Sequence, residues 1–238
     1  MIDTHIHILP GIDDGSKNIQ MSINMAKRAK SLGFDKIIAT PHYMDEYSNP
    51  SYEEIEESID VLNKTLKAEG IDVKIFSGSE IYFMDDLLSM LENKTVRTYS
   101  MSKYFLVELP IIGRPIGYID VMQEVIEAGY IPVVAHPERY EWIERNYKDV
   151  SVLRKMGVKF QINFGSIVGV YGNGPKKNVK RLIRDNVVDL IGTDSHNEDK
   201  IYNVFLKAQK KLLRLFGREK YERLTLINPQ KIIDGEEI

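Results

Sequence analysis

The chain has 238 residues, 43% of them hydrophobic, a formal charge of -3 and no cysteine. That length suits one undivided α/β domain, expected over residues 1–238, with room for a sizeable core. The charge gives no sign of nucleic acid as the main partner, and the missing cysteine excludes disulfides, thiolate metal ligation and a cysteine nucleophile. The opening MIDTHIHIL has no basic region followed by a long apolar core, and no apolar run reaches the roughly 18 residues of a membrane span. A soluble cytoplasmic protein is therefore expected.

Seven short runs rich in Val, Ile and Phe predict buried strands. They fall at residues 2–8, 36–40, 73–78, 104–109, 131–135, 159–163 and 188–193. Helical patterns lie between them. Met21, Ala26, Ala29 and Leu32 mark the first, and Ile55, Ile59, Leu62 and Leu66 give the second an apolar stripe. Met122, Val125 and Ile126 mark a third, Val179, Leu182 and Ile183 another, and residues 205–216 carry a long amphipathic one. Gly33, Gly70, Gly129 and Gly157 stand where helices should stop. Such alternation predicts a parallel sheet, most economically a closed or nearly closed barrel, whose strand C-termini form one chemical face.

All five histidines lie at strand ends of this plan. His5 and His7 flank Ile6, so in a strand both point to one side and can reach one metal. His42 closes KIIATPH, His136 sits in IPVVAHPER, and His196 follows Asp194 at the same i, i+2 spacing. Glu80 and Glu108 follow apolar runs, where a carboxylate is costly unless paired or metal-bound. Asp13 and Asp14 occupy PGIDDGS; Asp13 reads equally as a turn and cap for a helix beginning near Lys17, whereas Asp14 is free to reach a metal centre. Asp14, Glu80, Glu108 and Asp194 repel one another when no cation is bound. Three divalent ions would leave a net of about two positive charges, a cup suited to a phosphate dianion. Mixed imidazole and carboxylate donors favour Mn, Fe or Zn, and metal-bound water loses its proton near neutral pH to become the nucleophile.

Arg139, three residues beyond His136, is a candidate phosphate clamp; the alternative is a surface salt bridge to Glu138 or Glu141. Residues 43–52 and the glycine-rich residues 164–174 are expected to rim the active face. The latter lack the Gly-Lys-Ser/Thr ending of a nucleotide-binding loop. Two basic runs, Lys176 to Arg184 and Lys207 to Arg214, read as solvated helix faces, with docking of an acidic partner the alternative.

The segments HIHILPGIDDGS, ATPH, GSEI, LVELP, AHPERY, QINFGS and TDSHN, in that order, resemble the polymerase and histidinol phosphatase (PHP) family. Within it they are similar to the CpsB-type bacterial protein-tyrosine phosphatases of capsule and exopolysaccharide operons. The resemblance spans nearly the whole chain. It implies a distorted (β/α)7 TIM-like barrel and a manganese-dependent centre of two or three ions, with Fe or Zn as alternatives. By the same likeness His5, His7, Asp14, His42, Glu80, Glu108, His136, Asp194 and His196 are the ligands and Arg139 binds phosphate. The implied substrate is the phosphotyrosine tail of a bacterial tyrosine kinase that controls polysaccharide export. One departure stands out: the family's arginine after the DxHN motif is absent from HNEDKIYN, where Lys200 is the available cation. A phenol leaving group, with pKa near 10, needs little general-acid help, so no dedicated protein acid is expected. The competing readings are a small-molecule phosphomonoesterase of the histidinol phosphatase kind, a non-catalytic phosphotyrosine-binding module, and an amidohydrolase. No apolar strand ends in the lysine that amidohydrolases often carbamylate.

Overall fold

The computed structural model describes residues 1–44 and 49–238. Among the described residues, nine short strands, all paired in parallel, form two curled sheets. The first, in the order β1-β2-β4, contains β1 (Ile2–Asp3), β2 (Lys36–Ile38) and β4 (Lys74–Phe76). The second runs β3 (His42–Tyr43), β5 (Glu80–Tyr82), β6 (Tyr104–Glu108), β7 (Ile131–Ala135), β8 (Lys159–Asn163) and β9 (Leu190–Gly192). Helices fill the connections: α1 (Ile19–Ser31), α2 (Tyr52–Ala68), α3 (Leu87–Glu92), α4 (Tyr118–Glu127), α5 (Lys148–Met156), α6 (Phe164–Val168), α7 (Asn173–Arg184), α8 (Tyr202–Phe216), α9 (Arg218–Glu222) and α10 (Asn228–Ile233).

The expected strand plan breaks at three places. Pro41 has no N–H to give a ladder and separates β2 from β3. Between β4 and β5 the Ser77 carbonyl is diverted to the Ser100 N–H at 2.7 Å. In the first expected strand the Asp3 carboxylate replaces ladder partners, accepting the Thr193 N–H at 2.9 Å and its hydroxyl at 2.6 Å. The chain rejoins the sheet at Ile6, which bridges Ser195 in parallel, and Thr40 donates to the Ile6 carbonyl at 3.0 Å. Backbone bonds therefore link the two sheets across Ile6.

Strand alternation divides the apolar residues between two cores. Ile38, Leu106, Val133, Ala135 and Leu190, with Tyr99, Tyr104 and Ile232, pack as one cluster. Ile37, Val107, Val134 and Ile191, their strand neighbours, face the helices in the larger cluster. Helix signals were partly legible. Gly157 ends α5 in the left-handed conformation at φ 101°, whereas α3, α6, α9 and α10 lacked a readable stripe. Residues 164–174, expected to be a loop, contain α6. The rim residues 45–48 lie outside the described residues.

Candidate metal centre

All nine expected ligands meet at one end of the sheets. His5 and His7 are fully buried, with their Nε2 atoms 3.3 Å apart. Each ring is held from behind. His5 Nδ1 lies 2.9 Å from Gln161 Oε1, and His7 Nδ1 lies 2.7 Å from Asp13 Oδ2. In the neutral rings these contacts place the proton on Nδ1 and leave the Nε2 lone pairs facing inward. Two close approaches require glycine: a Cβ on Gly15 would lie 2.4 Å from the His7 Cβ, and one on Gly192 2.6 Å from the His5 Cβ.

Glu80 is the hub. Its Oε2 lies 3.1 Å from His5 Nε2, 3.4 Å from His7 Nε2 and 3.1 Å from His42 Nδ1, while Oε1 lies 3.0 Å from His136 Nε2. Contrary to its expected place after a strand, Glu80 opens β5. Glu108 ends β6 and lies 3.5 Å from His136. Asp14 Oδ1 is 3.5 Å from His42 and 3.3 Å from His196. Asp194 Oδ1 is 3.6 Å from both His5 and His7.

Among the described residues, three overlapping sets have ligand atoms within 4.8 Å of one another: His7, Asp14, His42 and His196; His5, His7 and Glu80; and His42, Glu80 and Glu108. Imidazole nitrogens facing one another across carboxylate oxygens are an array that cations would stabilise. An all-nitrogen-and-oxygen donor set fits Mn, Fe or Zn. His136 and Asp194 adopt positive φ, 29° and 52°, a conformation that costs non-glycine residues about 1–3 kcal/mol and gathers at functional sites.

The sequence matches, over residues 1–234, the family described as capsular polysaccharide synthesis, CpsB/CapC. The chain belongs to this family. The tyrosine-protein phosphatase YwqE of Bacillus subtilis (strain 168) is 34% identical over 197 residues, 83% of this chain and 78% of YwqE. The tyrosine-protein phosphatase CpsB of Streptococcus agalactiae is 27% identical over 243 residues, spanning 100% of both chains. A chain from the crystal structures of YwqE from Bacillus subtilis and CpsB from Streptococcus pneumoniae, described as metal-dependent tyrosine phosphatases, superposes with a TM-score of 0.94. It is 32% identical, covering 100% of this chain and 96% of its own.

In this CpsB/CapC chain Arg139 lies beside the cluster. It donates to Asp194 Oδ2 at 2.8 Å, so neither Glu138 nor Glu141 is its partner. Glu138 is buried and accepts from the Asn163 N–H and the Ser166 hydroxyl. The Arg139 guanidinium also stands over the Tyr171 ring, 4.7 Å from its centre. Arg139, Tyr171, Asp194, His196 and Lys200 line one cavity of about 180 Å³. Lys200 is exposed, and its N–H donates to Asn197 Oδ1.

Four residues have supporting roles that the sequence did not reveal. Asp13 does not cap α1; Asn18 does, accepting the Met21 N–H at 3.0 Å. Asp13 instead receives His7 and the His42 N–H, while turning onto the Gly15 N–H. Gln161 holds His5, and Asn163 and Tyr171 donate to Asp194 Oδ2 at 2.6 and 3.3 Å. Gln161 and Asn163 carried a readable signal, since they alternate at the end of β8 as His5 and His7 do near β1.

Without cations, protons take part of the compensating role. Burial disfavours the His5 imidazolium, but Glu80 and Asp194 outweigh it and raise its pKa to about 9. Burial, then repulsion from Glu80, pushes Glu108 up to about 8. Burial and the nearby Arg139 lower His136 to about 4. Both raised groups bind more protons folded than unfolded, so their contribution shrinks as pH rises: from about 4.5 to about 8 for Glu108 and from about 6.5 to about 9 for His5. The metal-free protein is therefore expected to lose melting temperature between pH 6.5 and 9. Added Mn should restore it with release of protons. Melting curves across pH, with calorimetry in buffers of different ionisation enthalpy, check this. An unchanged melting curve at confirmed metal loss would refute the electrostatic account.

Proposed function

We propose that this chain is a metal-dependent protein-tyrosine phosphatase acting on the phosphotyrosine tail of a bacterial tyrosine kinase that governs capsular or exopolysaccharide synthesis. The observation that carries the reading is the meeting of nine imidazole and carboxylate side chains beside a guanidinium, in a chain so similar to metal-dependent tyrosine phosphatases. The nine strand segments are read as seven staves of a distorted (β/α)7 barrel, with β2–β3 and β4–β5 each forming one bent stave.

The ligands are His5, His7, Asp14, His42, Glu80, Glu108, His136, Asp194 and His196, and two or three Mn ions are the proposed complement. Bound ions would supply charge neutralisation and a more acidic water, the two requirements of phosphomonoester hydrolysis. The protein's own contribution is orientation. Gln161 and Asp13 fix His5 and His7, while Asn163, Tyr171 and Arg139 hold one oxygen of Asp194 and leave the other for the centre. Arg139 and Lys200 line the same cavity, which supports assigning Arg139 to bind a substrate phosphate bidentately and Lys200 to offer a second, single-point contact. No helix among the described residues is long and apolar enough to cross a membrane.

Assay of Mn-loaded protein on a phosphotyrosyl peptide and on histidinol phosphate tests the reading. Preferential turnover of the peptide supports it; preferential turnover of histidinol phosphate overturns it in favour of a small-molecule phosphatase. Arg139→Ala should raise KM and weaken phosphate inhibition by about tenfold or more, because a charge-assisted contact is lost, while Asn163 and Tyr171 still hold Asp194 and keep most of the metal in place. His136→Ala should instead lower metal occupancy. Equal metal loss in the two variants would count against the clamp.

A further inference from the structure

The two basic runs, separated by more than twenty residues in sequence, form one surface. α7 and α8 both pack on α6. Burial lowers the Lys211 pKa, and the nearby Lys176, Lys207 and Lys180 lower it further. Lys176 also lies across the backbone of Gly169, where an added Cβ would stand 3.2 Å from its Cδ. Part of this face is concave: Asn173, Lys176, Lys177, Lys180, Arg181 and Arg184 line a cleft of about 600 Å³.

Some of these cations are already engaged. Lys177 pairs with Glu144, Arg184 pairs with Asp185, and Arg181 stacks on Tyr147 at 3.4 Å. Among the described residues, no carboxylate pairs with Lys176, Lys180, Lys207 or Lys211. Like charges left unpaired at close range repel, and an anionic ligand would relieve that repulsion. The whole chain is net negative at -3, so the cationic face is a local concentration and not a property of the entire surface.

The cleft adjoins the candidate active site. It begins at Asn173, two residues after Tyr171, which lines the cavity holding Arg139 and Lys200. A polypeptide held by a phosphotyrosine at that cavity needs only a few extended residues, at about 3.3 Å each, to enter the cleft. We propose that the α7–α8 face docks an acidic segment of the phosphoprotein substrate that flanks its phosphotyrosine. This inference rests on the phosphatase reading above and adds a determinant of substrate choice to it. Concavity and nearness to the phosphate cavity favour a peptide chain over an anionic membrane, which would suit a flat face.

The test compares the Mn-loaded full chain with its Lys180→Glu/Lys211→Glu variant on three substrates. These are a phosphotyrosyl peptide with an acidic flank, the same peptide with glutamine and asparagine in that flank, and 4-nitrophenyl phosphate. The parent should favour the acidic peptide by about tenfold in kcat/KM, through KM, with the preference fading at high salt. The variant should lose the preference and keep parental turnover of 4-nitrophenyl phosphate. Binding of the unphosphorylated acidic peptide, followed by fluorescence anisotropy, provides a readout independent of turnover. If no substrate is hydrolysed but this binding is present in the parent and lost in the variant, the phosphatase reading fails and the acidic docking face stands. Absence of preference and binding in the parent, or their persistence in the variant, overturns the proposal. So does binding to phosphatidylserine vesicles that the variant loses while its peptide preference is unchanged.

Discussion

Metal-stripped protein is expected to lose phosphotyrosine hydrolysis by about a thousandfold or more, with recovery on adding Mn. The chain has no cysteine to serve as an alternative nucleophile. Asp14, Glu80 and Asp194 all have depressed pKa values: for Asp14 the hydrogen bond from His196 is the main cause, whereas at Glu80 and Asp194 neighbouring histidines overcome burial. These carboxylates therefore stand in the cluster as anions. Arg139, the nearest guanidinium, is tied to Asp194. Protons on the buried histidines offset part of the carboxylate charge, but without bound cations the site has no Lewis acid to make a water acidic enough to attack phosphorus. Activity measured alongside metal content by mass spectrometry, over a panel of Mn, Fe, Zn and Mg, checks the expectation. Full activity of verified metal-free protein would sink the metal mechanism.

Glu80→Gln is expected to be the most damaging conservative substitution. The amide keeps the shape of the side chain but removes its charge and turns one acceptor into a donor. Its carboxylate lies within 3.4 Å of the ring nitrogens of His5, His7, His42 and His136, and it belongs to two of the three ligand sets. Loss of at least one ion per chain and at least about a hundredfold in kcat should follow, more than for a residue that only orients a ligand, for which 10–100-fold is usual. Asp13→Asn provides that comparison, since Asp13 touches His7 Nδ1 from behind. Metal analysis and steady-state kinetics of the two variants measure the difference. Full metal content and activity in Glu80→Gln would remove Glu80 from the centre.

The sequence by itself determined the strand–helix alternation and the residue types of the centre. Apolar runs of strand length are visible locally, and histidines or carboxylates at their ends are unusual because burying them unpaired is costly. The His-x-His spacing likewise says which side chains share a face, because strand geometry is fixed within a few residues. What only the tertiary structure decided depends on residues far apart in the chain. Gln161 supports His5 across 156 positions, and Asn163 reaches Asp194 across 31. Arg139 chose Asp194 over Glu138 because Glu138 is turned inward to the Asn163 N–H and Ser166 hydroxyl. The break at Pro41 is local, but the one around Ser77 and the bridge at Ile6 arise from backbone bonds to residues distant in the chain that no periodicity encodes. The basic runs of α7 and α8 become one face only because both helices pack on α6. Local pattern specifies which groups are available; long-range packing selects their partners.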